Sequence, residues 1–286
     1  MMWIIFGCAM IVIVAVVVTV IILKPHTTPI IHIEPVVDDC DPSSGPCHAF
    51  VFTNNCLYTV WVGSLGNTGM IAPNHGGWRM DPNTEITIYI PKGWGGRFWA
   101  RTGCDSNGKE CATGDCGALQ CNGVGGAVNV TVAEFTLDSG QNNDEDYYDV
   151  SNVDAYNINM SISLIPGTYV KTTDSLYDCG SPQCSQPVDI SQCPKPLQVI
   201  DSKGNIVSCL SPCTKIGTDQ TCCRGAWNSH DTCLSDAWPS PYNEYPPLVK
   251  SACSTQYSYA YDDPTSTFSC HSQSPTTLTG YNITFC

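Results

Sequence analysis

Charge is scarce in this chain, and positive charge is the scarcest. Charged residues make up 13% of its 286 positions, and 12 basic residues face 26 acidic ones, for a formal net charge of −14. A surface so short of cations repels phosphate backbones and anionic bilayers, which argues against nucleic-acid binding and against membrane attachment through a basic face. Neutral polymers, cationic surfaces and other proteins remain as partners. Close cysteine pairs are missing too. No Cys-x-x-Cys occurs, and the six histidines (His26, His32, His48, His75, His230, His271) are scattered. The spacing of a structural zinc site is therefore absent, and neither a metal nor another cofactor is expected. The histidines, beside no acidic motif, read as surface residues, and no Ser–His–Asp or Cys–His constellation stands out.

Cysteine itself is abundant. The chain has 19, spread from Cys40 to Cys286 with only Cys8 in the hydrophobic leader. That usage fits a disulfide scaffold in a secretory or extracellular setting. The leader, Met1 to Leu23, carries no charged side chain and is long enough to span a bilayer as a helix. It has no Lys or Arg before it and no small-x-small site after it, so an uncleaved signal anchor over 1–23 is predicted, with a cleaved signal peptide as the alternative. Lys24 by itself would place the body in the cytoplasm, but the cysteines need oxidising surroundings and outweigh one lysine. The expected location is the cell membrane with the body outside, or secretion if the leader is removed. Residues 24–48, with Pro25, Pro29, Pro35, Pro42 and Pro46, read as an extended spacer. Cys40 and Cys47 within it pair with each other or outward.

Further along, short β-type runs take over: Ala49–Phe52, Thr59–Val62, Glu85–Ile90, Arg97–Arg101, Val130–Leu137, Tyr147–Ser151 and Ile158–Ile162. Turn residues separate them, and Glu85–Ile90 alternates with period two before Pro91. This pattern predicts a mainly β chain, a sandwich or flattened barrel. Residues 179–255 differ, with nine cysteines and few apolar runs. Only Tyr245–Cys253 suggests a helix there, and cross-links are expected to hold a loop subdomain that buries little of its own surface. From Tyr257 to Cys286 the composition is β-type again.

Several motifs carry a family resemblance. The runs Gly93–Thr102 (GWGGRFWART), Cys111–Gly117 (CATGDCG), Ala133–Leu137 (AEFTL), Tyr148–Asp154 (YDVSNVD), Tyr257–Phe268 (YSYAYDDPTSTF) and the terminal Phe285-Cys286 resemble the thaumatin-like proteins, in order, over about residues 49–286. The 16 cysteines from Cys56 onward equal the family's in number and order. The resemblance implies a flattened β-sandwich with a disulfide-rich loop domain. It also implies the pairs Cys56–Cys286, Cys104–Cys111, Cys116–Cys121, Cys179–Cys270, Cys184–Cys253, Cys193–Cys209, Cys213–Cys222 and Cys223–Cys233, a connectivity that spacing cannot select. The chain departs from the family at Asn107–Glu110, which lacks the usual glycine spacing, and at Ala127-Val128, where prolines are common.

The resemblance further implies an acidic cleft built from Arg97, Glu134, Asp149, Asp154 and one of Asp262 or Asp263, with Asp262 favoured. Converging carboxylates repel, so at least one should keep its proton near neutral pH. Glu134 is the expected general acid and Asp154 its nucleophile or base if the cleft hydrolyses glycosides, with Arg97 holding the other carboxylates ionised. Ionised carboxylates also accept hydrogen bonds from sugar hydroxyls without catalysis. Tyr147, Tyr148, Tyr156, Phe135 and Tyr261 are candidate stacking faces, although aromatics in such strands more often fill the core. The aspartates, taken singly, are as well explained as turn residues. Three function classes follow: a defence or recognition protein, monomeric, binding β-1,3-glucan or a related wall polysaccharide; a weak endo-β-1,3-glucanase; or a cell-surface protein-interaction module. Asn129, Asn159 and Asn282 open glycosylation triplets, with Asn159 close to a strand interior.

Overall fold

A computed structural model describes residues 39–139 and 144–286. The predicted anchor over 1–23 and the spacer up to residue 38 lie outside these residues. Among the described residues no helix is long and apolar enough to cross a membrane.

Among the described residues fourteen strands and two α-helices follow in chain order, with short 3-10 helices between them. The strands are β1 (Cys47–Asn54), β2 (Val60–Gly66), β3 (Gly77–Met80), β4 (Thr84–Pro91), β5 (Gly95–Arg101), β6 (Val132–Ser139) and β7 (Glu145–Ser151). They continue with β8 (Ala155–Tyr156), β9 (Met160–Leu164), β10 (Tyr169–Val170), β11 (Gln198–Ile200), β12 (Ile206–Leu210), β13 (Phe268–Ser272) and β14 (Tyr281–Phe285). The helices are α1 (Pro212–Ile216) and α2 (Tyr245–Ala252). A four-stranded sheet in the order β4-β1-β14-β9 and a seven-stranded sheet in the order β10-β13-β7-β6-β5-β2-β3 share one core, and β11-β12-β8 form a third, small sheet. The expected mainly β, disulfide-rich architecture is what the chain adopts.

Alternation explains the core. In β1 every second residue from His48 points inward, so Phe50 and Phe52 are fully buried while their neighbours are partly exposed. Phe50 meets Phe135 at 4.9 Å, Tyr281 at 5.1 Å and Phe98 at 5.7 Å between ring centroids. These edge-on and tilted contacts join β5 and β6 of the large sheet to β1 and β14 of its partner sheet. β1 pairs in parallel with β14, the last strand, and Cys56–Cys286 ties the ends of the two together. The structure has the same eight disulfides that the resemblance implies, and Cys40–Cys47 closes a ninth, small loop.

Two expectations need correction. His48 is no surface residue: it is 0% exposed, in phase with Phe50 and Phe52. Its Nδ1 lies 2.8 Å from the Thr279 carbonyl oxygen and its Nε2 2.7 Å from Asp138 Oδ2. A carbonyl and a carboxylate only accept, so both ring nitrogens donate and His48 is an imidazolium. Burial by itself would lower its pKa, but the Asp138 hydrogen bond, the fields of Asp146 and Asp138 and the Thr279 carbonyl together raise it. The segment 179–255 also has a core of its own. Tyr245, Val249 and Ala252 on one face of α2 pack with Leu197, Val188 and Tyr156 around Cys193–Cys209 and Cys184–Cys253.

The smaller loop region around Cys104–Cys121 hangs on one buried cation. The guanidinium of Arg101, 0% exposed, donates to the carbonyls of Val62 at 2.9 Å, Ala118 at 2.6 Å and Leu119 at 2.7 Å. Longer bonds of 3.3 Å reach Trp61 and Gly108. Burial pushes its pKa down to about 10.

Candidate functional site

The large sheet turns its aromatic side to the core and a charged row the other way. Across β5, β6 and β7 the cross-strand partners are Arg97↔Glu134 and Glu134↔Asp149. Their neighbours Phe98, Phe135 and Tyr148 point into the core, so the period of two puts all three charged side chains on the opposite face. Directly opposed residues of unlike charge stabilise each other, and directly opposed like charges do not. Arg97 thus supports Glu134, and Asp149 has Glu134 as its opponent. Close strand approach is part of the construction. A Cβ at Gly96 would lie 2.3 Å from the Leu65 carbonyl oxygen, so only glycine fits there.

Two further carboxylates join the row. Asp154 sits in the turn after β7, where its own carbonyl accepts from Ser211 N at 2.9 Å, next to α1. Asp263 stands in a turn before β13, and Tyr257 donates its hydroxyl to Asp263 Oδ1 at 2.8 Å. Arg97, Glu134 and Asp149 line two adjoining cavities. One, of about 370 Å³, extends over Asn67, Thr68 and Tyr147. The other, of about 330 Å³, reaches Asp154, Tyr257 and Asp263. A wider groove of about 700 Å³ continues from Asn67 and Thr68 past Met70 and Ile71.

Asp262 does not join them, and the preference for it over Asp263 is reversed. It is 8% exposed, and its Oδ2 accepts from Ser258 N at 3.0 Å, Ser258 Oγ at 2.8 Å and Lys250 Nζ at 3.1 Å. Its Oδ1 accepts from Thr265 Oγ1 at 2.8 Å. Every acceptor of Asp262 is used to hold the turn that presents Asp263.

Arg97 is the one guanidinium among four carboxylates, and a further base, His230, stands 3.4 Å from Asp263 Oδ2, so the site is electrostatically lopsided. Burial raises the pKa of Glu134, and nearby Asp154 adds to this, while Arg97 and a Ser151 hydrogen bond oppose it. Asp154 is raised by burial against the pull of Arg97 and a hydrogen bond to Thr214. Asp149 is raised well above the usual carboxylate range by burial, and both Glu134 and Asp263 push the same way. The carboxyl group that holds its proton most firmly is therefore Asp149, where Glu134 was expected.

Most of the expected stacking faces are core. Phe135, Tyr148 and Tyr156 are buried, and Tyr261 is half-buried near His230. Phe135 and Tyr147 both border the cleft, but of the two only Tyr147 is exposed, at 38%. The sequence reading missed Tyr257, Asn67 and Thr68 as lining residues. Tyr257 opens the Tyr257–Phe268 motif, and its position there was the available signal. Asn67 and Thr68 follow β2 and carry no local mark. Of the glycosylation triplets, Asn129 uses its carboxamide internally, accepting from Gly114 N at 2.8 Å and donating to the Ala112 carbonyl at 3.2 Å. Asn159 accepts from the Tyr156 hydroxyl at 2.6 Å, and Asn282 lies in β14.

Fold and site together define a disulfide-stapled β-sandwich protein with an acidic groove across the outer face of its large sheet. The thaumatin family profile matches residues 54–286. Pathogenesis-related protein 5 of Arabidopsis thaliana is 43% identical over 242 residues, covering 83% of this chain and 89% of the relative. A glucan endo-1,3-beta-glucosidase of Prunus avium is 39% identical over 251 residues, covering 85% and 93%. The chain belongs to the thaumatin family. Among solved structures, a β-1,3-glucanase domain from Clostridium beijerinckii aligns with a TM-score of 0.49 at 11% identity, over 88% of this chain and 99% of that one. That similarity is too remote to bear on function.

Proposed function

We propose that this protein is an extracellular defence or recognition protein that binds β-1,3-glucan, or a similar neutral wall polysaccharide, as a monomer in the acidic cleft. Residues 1–23 hold it at the cell surface, or direct its secretion if they are removed. The observation that carries the reading is the row Arg97–Glu134–Asp149, continued by Asp154 and Asp263 along one groove. Carboxylates spaced along a groove accept hydrogen bonds from the hydroxyls of a neutral sugar chain, and Tyr147 offers a face for a ring. Groove length matters as well, because the extension past Met70 and Ile71 gives a polymer more to occupy than a monosaccharide would need.

A second reading is weak endo-β-1,3-glucan hydrolysis with Glu134 and Asp154. The upward push of Asp154 on Glu134, with Arg97 acting on both and the two carboxyl groups lining one cavity, favours it. A relative named as a glucan endo-1,3-beta-glucosidase adds to its support.

One experiment separates the readings. The chain, produced in an oxidising host, is mixed with insoluble β-1,3-glucan, and retention and reducing-sugar release are followed with Glu134→Gln alongside. Retention without sugar release is the expected result. Release that disappears in the variant establishes Glu134 as catalytic. A folded sample that is not retained overturns the glucan reading and leaves a protein-interaction module.

A further inference from the structure

The carboxyl groups of the cleft do not share Arg97 equally. Arg97 is in register with Glu134, and Glu134 with Asp149, so the guanidinium stands two strands away from Asp149. Every other titratable group facing Asp149 is acidic or phenolic. On β6 the neighbour is Glu134. On the segment before β13 the neighbours are Asp263 and Tyr257. The Tyr257 hydroxyl is already engaged, donating to Asp263 Oδ1 at 2.8 Å and lying against Thr267 Oγ1. Along β7 itself Tyr147 turns its hydroxyl to Glu145 Oε2 at 2.9 Å.

The geometry at the carboxyl group agrees with this. Asp149 Oδ1 is shielded from solvent and has no hydrogen-bond partner among the described residues, although the residue lines both cavities. An ionised carboxylate placed there would be a half-buried charge with one shielded, unsatisfied acceptor beside two further acids, an unfavourable arrangement in general. A neutral carboxylic acid carries less penalty and gains one O–H to donate.

We propose that Asp149 stands in the cleft as a neutral carboxylic acid and donates a hydrogen bond to an acceptor-only oxygen of the bound sugar, while Glu134, ionised beside Arg97, accepts from a sugar hydroxyl. This deepens the glucan-binding reading and rests on it. The pairing of one donor with one acceptor across adjacent strands selects for ligand chemistry. An ionised Asp149 could only accept, leaving donation in this part of the cleft to Arg97, Asn67 and Thr68. A cleft with a neutral acid can also address ring or glycosidic oxygens, which have no proton to give. The ligand class is thus a neutral polysaccharide that presents an ether oxygen next to a free hydroxyl. Binding is also gated by pH, because ionising Asp149 removes the donor and sets a third negative charge beside Glu134 and Asp263. The strong upward displacement of the Asp149 carboxyl by burial and by those two acids supports this placement of the proton.

The test has one arm without sugar and one with it. Carboxyl-carbon NMR of the full chain with labelled aspartate is followed across pH, and the signal missing in Asp149→Asn identifies the residue. The expected signal stays at the carboxylic-acid position after the exposed aspartates have ionised. Titration of Asp149 together with those exposed aspartates overturns the proposal. In the second arm soluble β-1,3-glucan is titrated against wild type and Asp149→Asn, whose amide donates as the neutral acid does. Wild-type affinity is expected to fall about ten-fold as the Asp149 signal titrates, the value of one lost hydrogen bond, while the variant stays flat with pH. Equal pH dependence in both proteins overturns the role of Asp149 as donor. A retained proton with no glucan binding at any pH leaves the neutral acid standing and removes the glucan reading, so the two failures are distinguishable.

Discussion

Asp262 and Asp263 are neighbours in one turn with opposite tasks, and this gives a sharp contrast at the level of single side chains. Asp262→Asn weakens the ion pair to Lys250 and places an amide where Ser258 N and Ser258 Oγ both donate. A loss of about 1–3 kcal/mol is expected, read as a lower urea midpoint, because hydrogen bonds to a charged acceptor are replaced by poorer ones. Asp263→Asn should leave the midpoint within about 0.5 kcal/mol, as exposed substitutions do, and weaken retention on β-1,3-glucan. Equal midpoints for the two variants would show that the turn does not depend on Asp262. His48 supplies the pH-dependent case. Its folded pKa is raised above 6.5, so its contribution to stability is fully present below 6.5 and is lost as pH rises through the folded value. Asp138, buried but held by His48, Gly93 N and Lys92, has a folded pKa lowered from 3.8, so its contribution is present above 3.8 and lost as pH falls through the folded value. The stability gap between wild type and His48→Gln should therefore be widest between 3.8 and 6.5 and shrink on either side. Within that window a gap of about 3–5 kcal/mol fits the breaking of a buried charge pair. A gap independent of pH in denaturation curves would contradict the imidazolium assignment.

Among the elements, β1 and β14 form the joint that closes the chain. They pair in parallel over Phe50↔Tyr281 to Asn54↔Phe285, and parallel neighbours so far apart in sequence have a large loop-closure cost. Cys56–Cys286, with a sequence separation of 230, takes most of that freedom from the unfolded chain. Replacing both cysteines by serine should cost about 2–5 kcal/mol, seen as a lower urea midpoint together with a steeper slope from a more expanded unfolded state. A midpoint unchanged from wild type would place the stability of the joint in its packing alone. The strands that the sequence revealed are those with clear alternation, such as β4, or with a β-type run between turn residues, such as β5. It did not reveal β3, β8 or β10 to β12, which are two to five residues long and owe their pairing to neighbours distant in sequence. His48 shows how a signal can be present and unread. It is in phase with Phe50 and Phe52, so the period of two already placed it inside, and its buried acidic partners come from β6 and β7, far along the chain.

For the whole molecule, the sequence alone determined the class of environment and the material of the fold. The 19 cysteines called for oxidising surroundings, the deficit of basic residues argued against nucleic acid as a partner, and the period-two runs required sheets with one apolar face. Its motifs, matched in order to a family, also carried the cysteine pairing, which the spacing alone left open among many possibilities. What only the tertiary structure decided is which groups meet. Strand register put Arg97, Glu134 and Asp149 in one row, and turn geometry chose Asp263 over Asp262 as the lining acid. Register and burial also determine which carboxyl group keeps its proton. Composition and periodicity are properties of a chain read locally, whereas the state of a carboxyl group depends on charges and solvent brought near it by residues dozens of positions away.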